Sequence, residues 1–238
     1  MHANSHLIIS RQHEVHQQLG TRLAKHAAHT FQKPITDYNR AAFQHSMTVW
    51  QQAGAQPLIL DAACGVGLSS LHLAAQFPDH FVIGVDQSAD RIARNTHWPH
   101  PMPSNVLRLR ADLVDYWRLL LQSGVPLARH YILYPNPWPK IGHLARRWHG
   151  HPVFPTIVAL GGVLECRSNW RIYVEEFAAA LKQLTQQPVA CAAYAPERTI
   201  TPFEQKYQAS GHALWRCRIA LASERSAEAT DGPAVVLL

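Results

Sequence analysis

One short segment, Asp61 to Gly67, constrains the fold of this chain more than any other. It follows a compact apolar run, Pro57 to Leu60, and leads into residues with helical periodicity, Ser69 to Gln76. Glycines at such a strand-to-helix turn let the backbone bend sharply and approach a ligand without a Cβ in the way. A second apolar run ends in Asp86, where an acid can accept hydrogen bonds from ribose hydroxyls. The segment therefore predicts a nucleoside-cofactor site on a parallel sheet.

Short apolar runs alternate with helical segments along much of the remaining chain. This alternation is typical of a mostly parallel sheet that is covered by helices on both faces. Besides the two strands that end in acids, the pattern predicts helices over residues 90–95 and 173–184. It also predicts five further strands, over residues 105–112, 131–134, 163–167, 189–194 and 213–221. We therefore expect an α/β fold with a seven-stranded sheet.

The two ends of the chain are predicted to lie outside this α/β domain. Helical spacing from Val15 to Ala27, and a second helical segment over residues 38–50, predict a helical extension formed by residues 1–54. The α/β domain then spans residues 55–222, and the small, polar residues 223–238 are expected to form a loose tail. The histidines near the N-terminus have no supporting carboxylate or cysteine, so we predict no metal site.

Composition excludes several classes of protein. The 238 residues are 47% hydrophobic, which excludes overall disorder, and no apolar run approaches the roughly 20 residues that span a bilayer. The four cysteines are scattered without a C-x-x-C pair, which excludes a disulfide scaffold and a zinc ribbon. No secretory signal is recognisable at the start of the sequence, so we expect a basic, cytoplasmic protein with a net charge of +6. The sequence carries no signal of an oligomeric state.

The details of the glycine turn distinguish between nucleoside cofactors. A dinucleotide fingerprint needs a third glycine, and Ser70 stands at that position. Asp61 also suits an ammonium group better than a pyrophosphate, which an anion would repel. The pattern Asp61-x-x-x-Gly65-x-Gly67 resembles the first motif of class I S-adenosylmethionine-dependent methyltransferases. The resemblance implies S-adenosylmethionine as the cofactor and a Rossmann-like, three-layer fold whose seven-stranded, mostly parallel sheet has a reversed last strand.

The same resemblance implies which residues hold the cofactor. The glycine turn would face its methionine part, Asp86 would hold the ribose, and Asp112 would reach the adenine amino group. Asp112 is equally well explained as a helix N-cap. Cys64 fits a small buried residue better than a nucleophile, because no partner base is identifiable. The implied cofactor-binding residues are Asp61, Cys64, Gly65, Gly67, Asp86 and Asp112.

A proline-rich loop, Tyr134 to Lys140, follows the fourth predicted strand. Three prolines in seven residues stiffen the chain at the carboxyl edge of the sheet, where ligands bind. Asn136 offers an acceptor and two donors there, and Trp138 offers a flat face for stacking. A rigid loop in which Trp138 is simply buried is the alternative.

The segment around this loop is basic. No Asp or Glu occurs from Tyr116 to Leu164, and the stretch from Lys140 to His149 combines cations with an aromatic residue. Such a segment suits phosphate contacts and base stacking, although a solvated basic loop is the usual alternative. Its place beside the proline-rich loop favours an anionic polymer as the substrate. The cations of the acid-free stretch are Arg118, Arg129, Lys140, Arg146 and Arg147.

Three motifs together resemble one family. Pro135-Asn136-Pro137-Trp138, followed by Lys140, His143, Arg146 and Arg147, resembles the P-D-P-W-x-K-x-x-H-x-x-R-R signature of the bacterial tRNA (guanine-N7)-methyltransferases. The segment Ser168-Asn169-Trp170-x-x-Tyr173 resembles that family's T-D-W-x-x-Y segment. Thr201-Pro202-Phe203-Glu204-x-Lys206 resembles its T-x-F-E-x-[KR] segment. The resemblance covers residues 57–220 and implies methyl transfer to tRNA with 7-methylguanosine as the product.

The resemblance also implies residue roles. Asn136 takes the position of the residue that is credited with catalysis, and Lys140 takes that of a substrate contact. The segment from His143 to Trp148 would touch RNA. The implied substrate-binding residues are Trp138, Lys140, His143, Arg146, Arg147, Asn169, Thr201, Phe203 and Glu204.

The sequence departs from the family at two acids. Asn136 and Asn169 replace aspartates of the P-D-P-W and T-D-W motifs, which removes negative charge from the expected guanine pocket. The asparagine also brings the loop closer to the N-P-P-[FY] motif of amino-methyltransferases. Two alternatives follow: a methyltransferase that acts on another base or an exocyclic amine of RNA, and an RNA-binding relative without catalysis.

Overall fold

Seven strands form one sheet at the centre of the protein. The computed structural model describes residues 4–94 and 97–222. Every residue of the first two strands is buried, which is why these segments are continuous apolar runs in the sequence. The strands are β1 (Leu58–Ala62), β2 (Phe81–Asp86), β3 (Val106–Arg110), β4 (Leu127–Leu133), β5 (Gly162–Ser168), β6 (Cys191–Tyr194) and β7 (Leu214–Leu221).

The strand order is β3-β2-β1-β4-β5-β7-β6. Strands β1 to β5 are parallel to their neighbours, whereas β7 runs antiparallel to both β5 and β6. Because β1 lies between β2 and β4, the strand order reverses there, and a crevice forms beyond the carboxyl ends of these strands. The predicted fold class is confirmed, including the reversed last strand.

Helices pack against the sheet and against one another. Helix α7 contacts β5, β6 and β7, while α3 contacts β2 and β3. Cap residues set several helix starts: the Thr36 hydroxyl accepts a hydrogen bond from Asn39 N, and the Asp112 carboxylate accepts one from Val114 N. The helices are α1 (Leu19–Ala27), α2 (Asp37–Gln52), α3 (Leu68–Gln76), α4 (Ala89–Ile92), α5 (Leu113–Ser123), α6 (Phe154–Ala159), α7 (Arg171–Thr185) and α8 (Pro202–Ala209).

The N-terminal helices pack directly on the α/β fold. Leu19 and Leu23 of α1 are buried in the main core, and α1 contacts α6 and α7. Helix α2 contacts α5 and β3, and the Asn39 amide donates to the buried Asp115 carboxylate at 2.7 Å. Helix α1 begins at Leu19, so Val15 precedes it. The division of the chain at residue 54 stays a prediction.

Several element bounds differ from the sequence prediction. Strand β4 begins four residues earlier than predicted, at Leu127, and helices α6 and α8 had no predicted counterpart, whereas α5 was implied only by the N-cap interpretation of Asp112. Helix α4 ends at Ile92, and Asn95, the predicted end of that helix, lies outside the described residues. The tail predicted over residues 223–238 also lies outside them. Among the residues that the structure describes, no helix has the length and apolar character required to cross a bilayer.

Candidate active site

Two neighbouring cavities open at the switch point of the sheet. Their shared wall includes Ala63 after β1, Arg91 on α4, and the loop residues Pro135 and Asn136 after β4. The acidic cavity is lined by Asp86 and Asp112 and has a volume of about 450 Å³. The aromatic cavity is lined by Tyr134, Phe203 and Tyr207 and has a volume of about 630 Å³. Asn136 therefore lies where the two cavities meet.

The acids of the acidic cavity also organise its backbone. Asp86, at the end of β2, accepts hydrogen bonds from Ser88 N at 2.8 Å and Gly65 N at 3.0 Å. Asp112 Oδ1 caps α5, and its Oδ2 lies 3.3 Å from Lys33 Nζ. The N-cap interpretation of Asp112 is therefore confirmed, while its contact with adenine stays a prediction for a residue that does line the cavity.

The glycine turn leaves room for a ligand. Gly65 and Gly67 have φ angles of +61° and +79°, which residues with a Cβ rarely adopt. A Cβ on Gly65 would meet no atom within 4 Å, so this side of the turn faces open space in the aromatic cavity. A Cβ on Gly67 would lie 2.1 Å from Arg108 Cδ, and the Arg108 guanidinium donates to Val66 O at 2.7 Å. Arg108, which the sequence analysis missed, thus braces the turn.

Asp61 lies beneath this turn and is 1% exposed. Its Oδ2 accepts hydrogen bonds from the Ser69 and Ser70 hydroxyls at 2.6 and 2.7 Å, whereas its Oδ1 is buried without a partner among the described residues. Burial raises the pKa of Asp61 to about 6, against the opposing effect of the two serines. Asp61 lines neither cavity, so the contact of this oxygen with a cofactor ammonium group stays a prediction.

An adenosine cofactor with an amino-acid tail fits these residues. The acidic cavity offers carboxylates for hydroxyl and amino donors, the Gly65 cradle admits a ligand atom where a side chain would stand, and Asp61 retains a buried acceptor. Cys64 lines the aromatic cavity, but burial raises the pKa of its thiol well above the usual value. Cys64 is therefore a packing residue of the turn and not a nucleophile.

The proline-rich loop is held in a strained course. Tyr134 and Trp138 have φ angles of +51° and +46°, which non-glycine residues rarely adopt. Exposed Asn136 folds back on this loop, because its Oδ1 accepts a hydrogen bond from Trp138 N at 3.3 Å. The Arg146 guanidinium lies 4.8 Å from the centre of the Trp138 ring, and both residues line the acidic cavity. The loop thus presents an amide and a cation-capped aromatic ring to the site.

The basic segment separates into exposed and buried residues. Lys140 and Arg146 are exposed, and His143 is half-buried with its ring against Trp138. Arg147 is 0% exposed and pairs with Glu176 at 2.6 Å. A guanidinium without accessible surface has no face to offer to RNA, so the implied RNA contact of Arg147 is corrected to a structural role.

The residues after β6 also separate into exposed residues of the cavity and buried residues beneath it. Phe203 is 48% exposed in the aromatic cavity, where its ring stacks on Tyr207, and the Thr201 hydroxyl caps α8. Glu204 is 0% exposed and accepts hydrogen bonds from the Tyr134 hydroxyl at 2.8 Å and from Arg167 at 3.0 Å. The implied contact of Glu204 with guanosine is therefore corrected: this carboxylate fixes Tyr134 in the cavity floor.

Asn169 lies outside the lining of both cavities. Its amide is hydrogen-bonded to His212 Nδ1 at 3.1 Å, so the structure does not bring it to the site in the way that the resemblance implies. The structure instead adds Arg94, which lines the aromatic cavity beside Arg91. No motif marks Arg94 in the sequence, because it precedes a segment without recognisable periodicity.

Solved methyltransferase structures share this fold. An antibiotic-related methyltransferase aligns with 81% of this chain and 97% of its own, at a TM-score of 0.52 and 13% sequence identity. The 16S rRNA methyltransferase KamB aligns with 80% of this chain and 95% of its own, at a TM-score of 0.51 and 17% identity. At such low identities the likeness concerns the fold alone.

Similarities in sequence are more specific. The tRNA (guanine-N(7)-)-methyltransferase of Acidovorax sp. is 29% identical over 198 residues, which cover 76% of this chain and 73% of that protein. The enzyme of the same name from Polaromonas sp. is 30% identical over 177 residues, which cover 67% of this chain and 69% of that protein. The sequence model of the methyltransferase family Methyltransf_4 matches residues 55–217.

The strand order, the glycine turn, the acids in β1 and β2 and the family match define a class I methyltransferase that uses S-adenosylmethionine. The family model that matches residues 55–217 identifies one family within this class. The chain belongs to the Methyltransf_4 family, as a divergent relative of the tRNA (guanine-N7)-methyltransferases.

Proposed function

We propose that this protein transfers the methyl group of S-adenosylmethionine to N7 of a guanine in tRNA, in the cytoplasm. The observation that carries the proposal is the position of Asn136 in the wall shared by the acidic cavity and the aromatic cavity. The adenosine part of the cofactor would lie in the acidic cavity and its methionine part along Gly65 in the aromatic cavity, so that the methyl group passes to the base beside Asn136. The relatives named tRNA (guanine-N(7)-)-methyltransferases support guanine N7 as the acceptor and tRNA as the partner.

The cofactor-binding residues have separate tasks in this proposal. Asp86 accepts from the ribose hydroxyls, Asp112 accepts from the adenine amino group, and Asp61 pairs with the ammonium group. When it is bound, S-adenosylmethionine supplies a methyl group on a positively charged sulfur. The protein's task is to orient that methyl group toward the aromatic cavity.

The aromatic cavity is the proposed site of the target base. Phe203 and Tyr207 present stacked rings with centroids 6.1 Å apart, and Phe203 has an exposed face. A purine gains about 1–3 kcal/mol from stacking on such a ring. Tyr134 closes the floor, since its hydroxyl is held by Glu204. The exposed cations Lys140 and Arg146 lie on the following segment and are proposed to contact the RNA backbone.

The chemistry at N7 needs positioning more than proton transfer. Guanine N7 carries a lone pair and no proton, so its attack on the methyl group requires no general base. The methylated base becomes a cation, which a carboxylate beside it would stabilise. Asn136 can accept a hydrogen bond from the base but supplies no charge, which lowers the stabilisation of the transition state by about 1–3 kcal/mol relative to an aspartate.

Nucleoside analysis tests the proposal. The purified protein is incubated with S-adenosylmethionine and unmodified tRNA, and the digested RNA is examined by mass spectrometry. We expect 7-methylguanosine. A methylated exocyclic amine would move the reaction to the chemistry of the N-P-P-[FY] motif, and bound cofactor without any methylation would overturn the enzymatic proposal for tRNA.

A further inference from the structure

A buried carboxylate that lines neither cavity organises the segment that follows the proline-rich loop. Glu176 on α7 is 0% exposed. Its Oε2 accepts hydrogen bonds from Arg147 Nη1 at 2.6 Å and pairs with His149 Nε2 at 2.7 Å. Burial alone would raise the pKa of Glu176, but the hydrogen bond with His149 and the charge of Arg147 lower it to about 2. Glu176 is therefore a permanently charged anchor.

Arg147 connects Glu176 to the proline-rich loop. Its Nε and Nη2 donate to Trp138 O at 3.2 and 3.1 Å, and Nη2 also donates to Lys140 O at 3.3 Å. The guanidinium also lies 4.8 Å from the centre of the Trp170 ring, which restricts it further. Two carbonyl groups of the loop that contains Asn136 are thus fixed by one buried side chain.

The N-terminal segment completes the arrangement from the other side. Glu176 Oε1 accepts hydrogen bonds from Gln12 Nε2 at 2.6 Å and from His16 N at 3.0 Å. The Ser10 hydroxyl donates to Pro139 O at 2.6 Å, directly beside the two carbonyl groups that Arg147 holds. Residues 10–16 therefore contact both the anchor and the loop.

We propose that Glu176 is a positioning residue for methyl transfer, which acts through Arg147 and with Gln12 to hold Asn136 at the junction of the two cavities. This inference rests on the proposed function. Asn136 itself makes only a local bond, from its Oδ1 to the Trp138 backbone, and Trp138 is one of the two residues whose carbonyl groups Arg147 binds. The position of the Asn136 amide therefore depends on the backbone of the proline-rich loop, which the buried pair of Glu176 and Arg147 holds in place.

Asp115 provides a matched control. It is also a buried carboxylate, it accepts from Asn39 Nδ2 at 2.7 Å, and it pairs with Arg118 at 3.7 Å. It also links the N-terminal region to the α/β fold, but none of its partners contacts the proline-rich loop. The variants Glu176→Gln and Asp115→Asn therefore remove comparable buried charges, and only the first loosens the loop.

The experiment compares kcat, KM and melting temperature in these two variants. We expect Glu176→Gln to lower kcat by about ten- to a hundred-fold, the size of a small misplacement of a reacting group, with the KM for S-adenosylmethionine within two-fold of wild type. Asp115→Asn is expected to lower the melting temperature about as much as Glu176→Gln does, but to keep kcat within two-fold of wild type. Equal losses of kcat in the two variants would reduce Glu176 to a general contributor to stability and overturn the inference.

A milder variant and a second readout protect the test against misfolding and inactivity. Gln12→Ala leaves the pair of Glu176 and Arg147 intact and is expected to lower kcat by about two- to five-fold, with a smaller loss of melting temperature than Glu176→Gln. Trypsin should cleave after exposed Lys140 faster in Glu176→Gln than in Asp115→Asn, whether or not tRNA is methylated. If wild type made no 7-methylguanosine but Glu176→Gln was still cleaved faster than Asp115→Asn, the proposed function would be wrong, while the role of Glu176 in holding the loop would be supported. An unchanged cleavage rate would overturn the anchor itself.

Discussion

At the scale of single residues, Asn136 carries the main chemical departure from the family signature. The proposed product is a cationic base, and the loop offers it an amide where the related enzymes have a carboxylate. We expect Asn136→Asp to raise kcat by about five- to 150-fold, because a charged hydrogen bond adds about 1–3 kcal/mol over a neutral one. Single-turnover transfer to tRNA at saturating cofactor measures this. A kcat at or below that of wild type would show that the charge is not limiting.

Asp61 gives a pH-dependent prediction at the same scale. Its pKa is raised to about 6 in the free protein, and only its ionised form pairs with an ammonium group. Cofactor affinity should therefore fall as the pH drops below about 6, since binding must then release a proton. Calorimetric titration with S-adenosylmethionine between pH 5 and 8 checks this. In Asp61→Asn the affinity should be weaker and free of this dependence, and parallel pH profiles would remove Asp61 from the ammonium site.

At the scale of elements, the segment after the loop combines two functions in adjacent residues. Arg146 is exposed over Trp138, and Arg147 is buried against Glu176. Arg146→Ala should weaken tRNA binding and reduce the salt slope by about one phosphate contact, with no loss of thermal stability. Arg147→Ala should destabilise the fold by about 3–5 kcal/mol, because it removes the guanidinium partner of the buried Glu176 carboxylate. Filter binding over a salt series and urea unfolding separate the two; a stable Arg147→Ala with an altered salt slope would contradict the division.

The same elements show what a sequence can predict. Asp61 and Asp86 were found because each ends a continuous apolar run, and parallel strands bring their ends to one edge of the sheet. Arg147 and Glu204 were misplaced, because a motif gives the order of residues and not which side of a turn is buried. Helices α6 and α8 were missed, since Pro155 and Pro202 act there as first-turn residues and not as helix breakers. Glu176 was not found at all, because its partners come from two segments that are far from it in sequence, residues 12–16 and 147–149.

At the scale of the whole molecule, the N-terminal residues and the α/β fold share buried polar contacts. Gln12 binds Glu176 behind the loop, Asn39 binds Asp115 on α5, and Lys33 approaches Asp112 at the acidic cavity. Lys33 thereby contacts a wall of the acidic cavity, whereas Glu176 and Asp115 line neither cavity. The residues before β1 therefore contribute polar contacts to the α/β fold as well as side chains to the hydrophobic core.

Two buried groups make the stability of the free protein depend on pH in opposite directions. Burial lowers the pKa of His130 to about 3, so the unfolded state binds more protons between about pH 3 and 6.5, and stability is lost as the pH falls through this range. Asp61, with its pKa raised to about 6, binds its proton more tightly in the folded state. The cost of burying its ionised carboxylate therefore disappears, and stability rises, as the pH falls from about 6 to 4. Each contributes a slope of about 1.4 kcal/mol per pH unit, and the two nearly cancel between pH 4 and 6.

Single substitutions should uncover each slope. The variant His130→Gln keeps an acceptor for the Trp117 indole, which donates to His130 at 3.0 Å, and removes the titration. Between pH 6 and 4.5 its free energy of unfolding should rise by about 1–2 kcal/mol relative to wild type, whereas that of Asp61→Asn should fall by about the same amount. Urea unfolding at the two pH values measures both, and constant differences in stability between variant and wild type cancel in the comparison. Parallel pH profiles in all three proteins would mean that folding shifts the pKa of neither group.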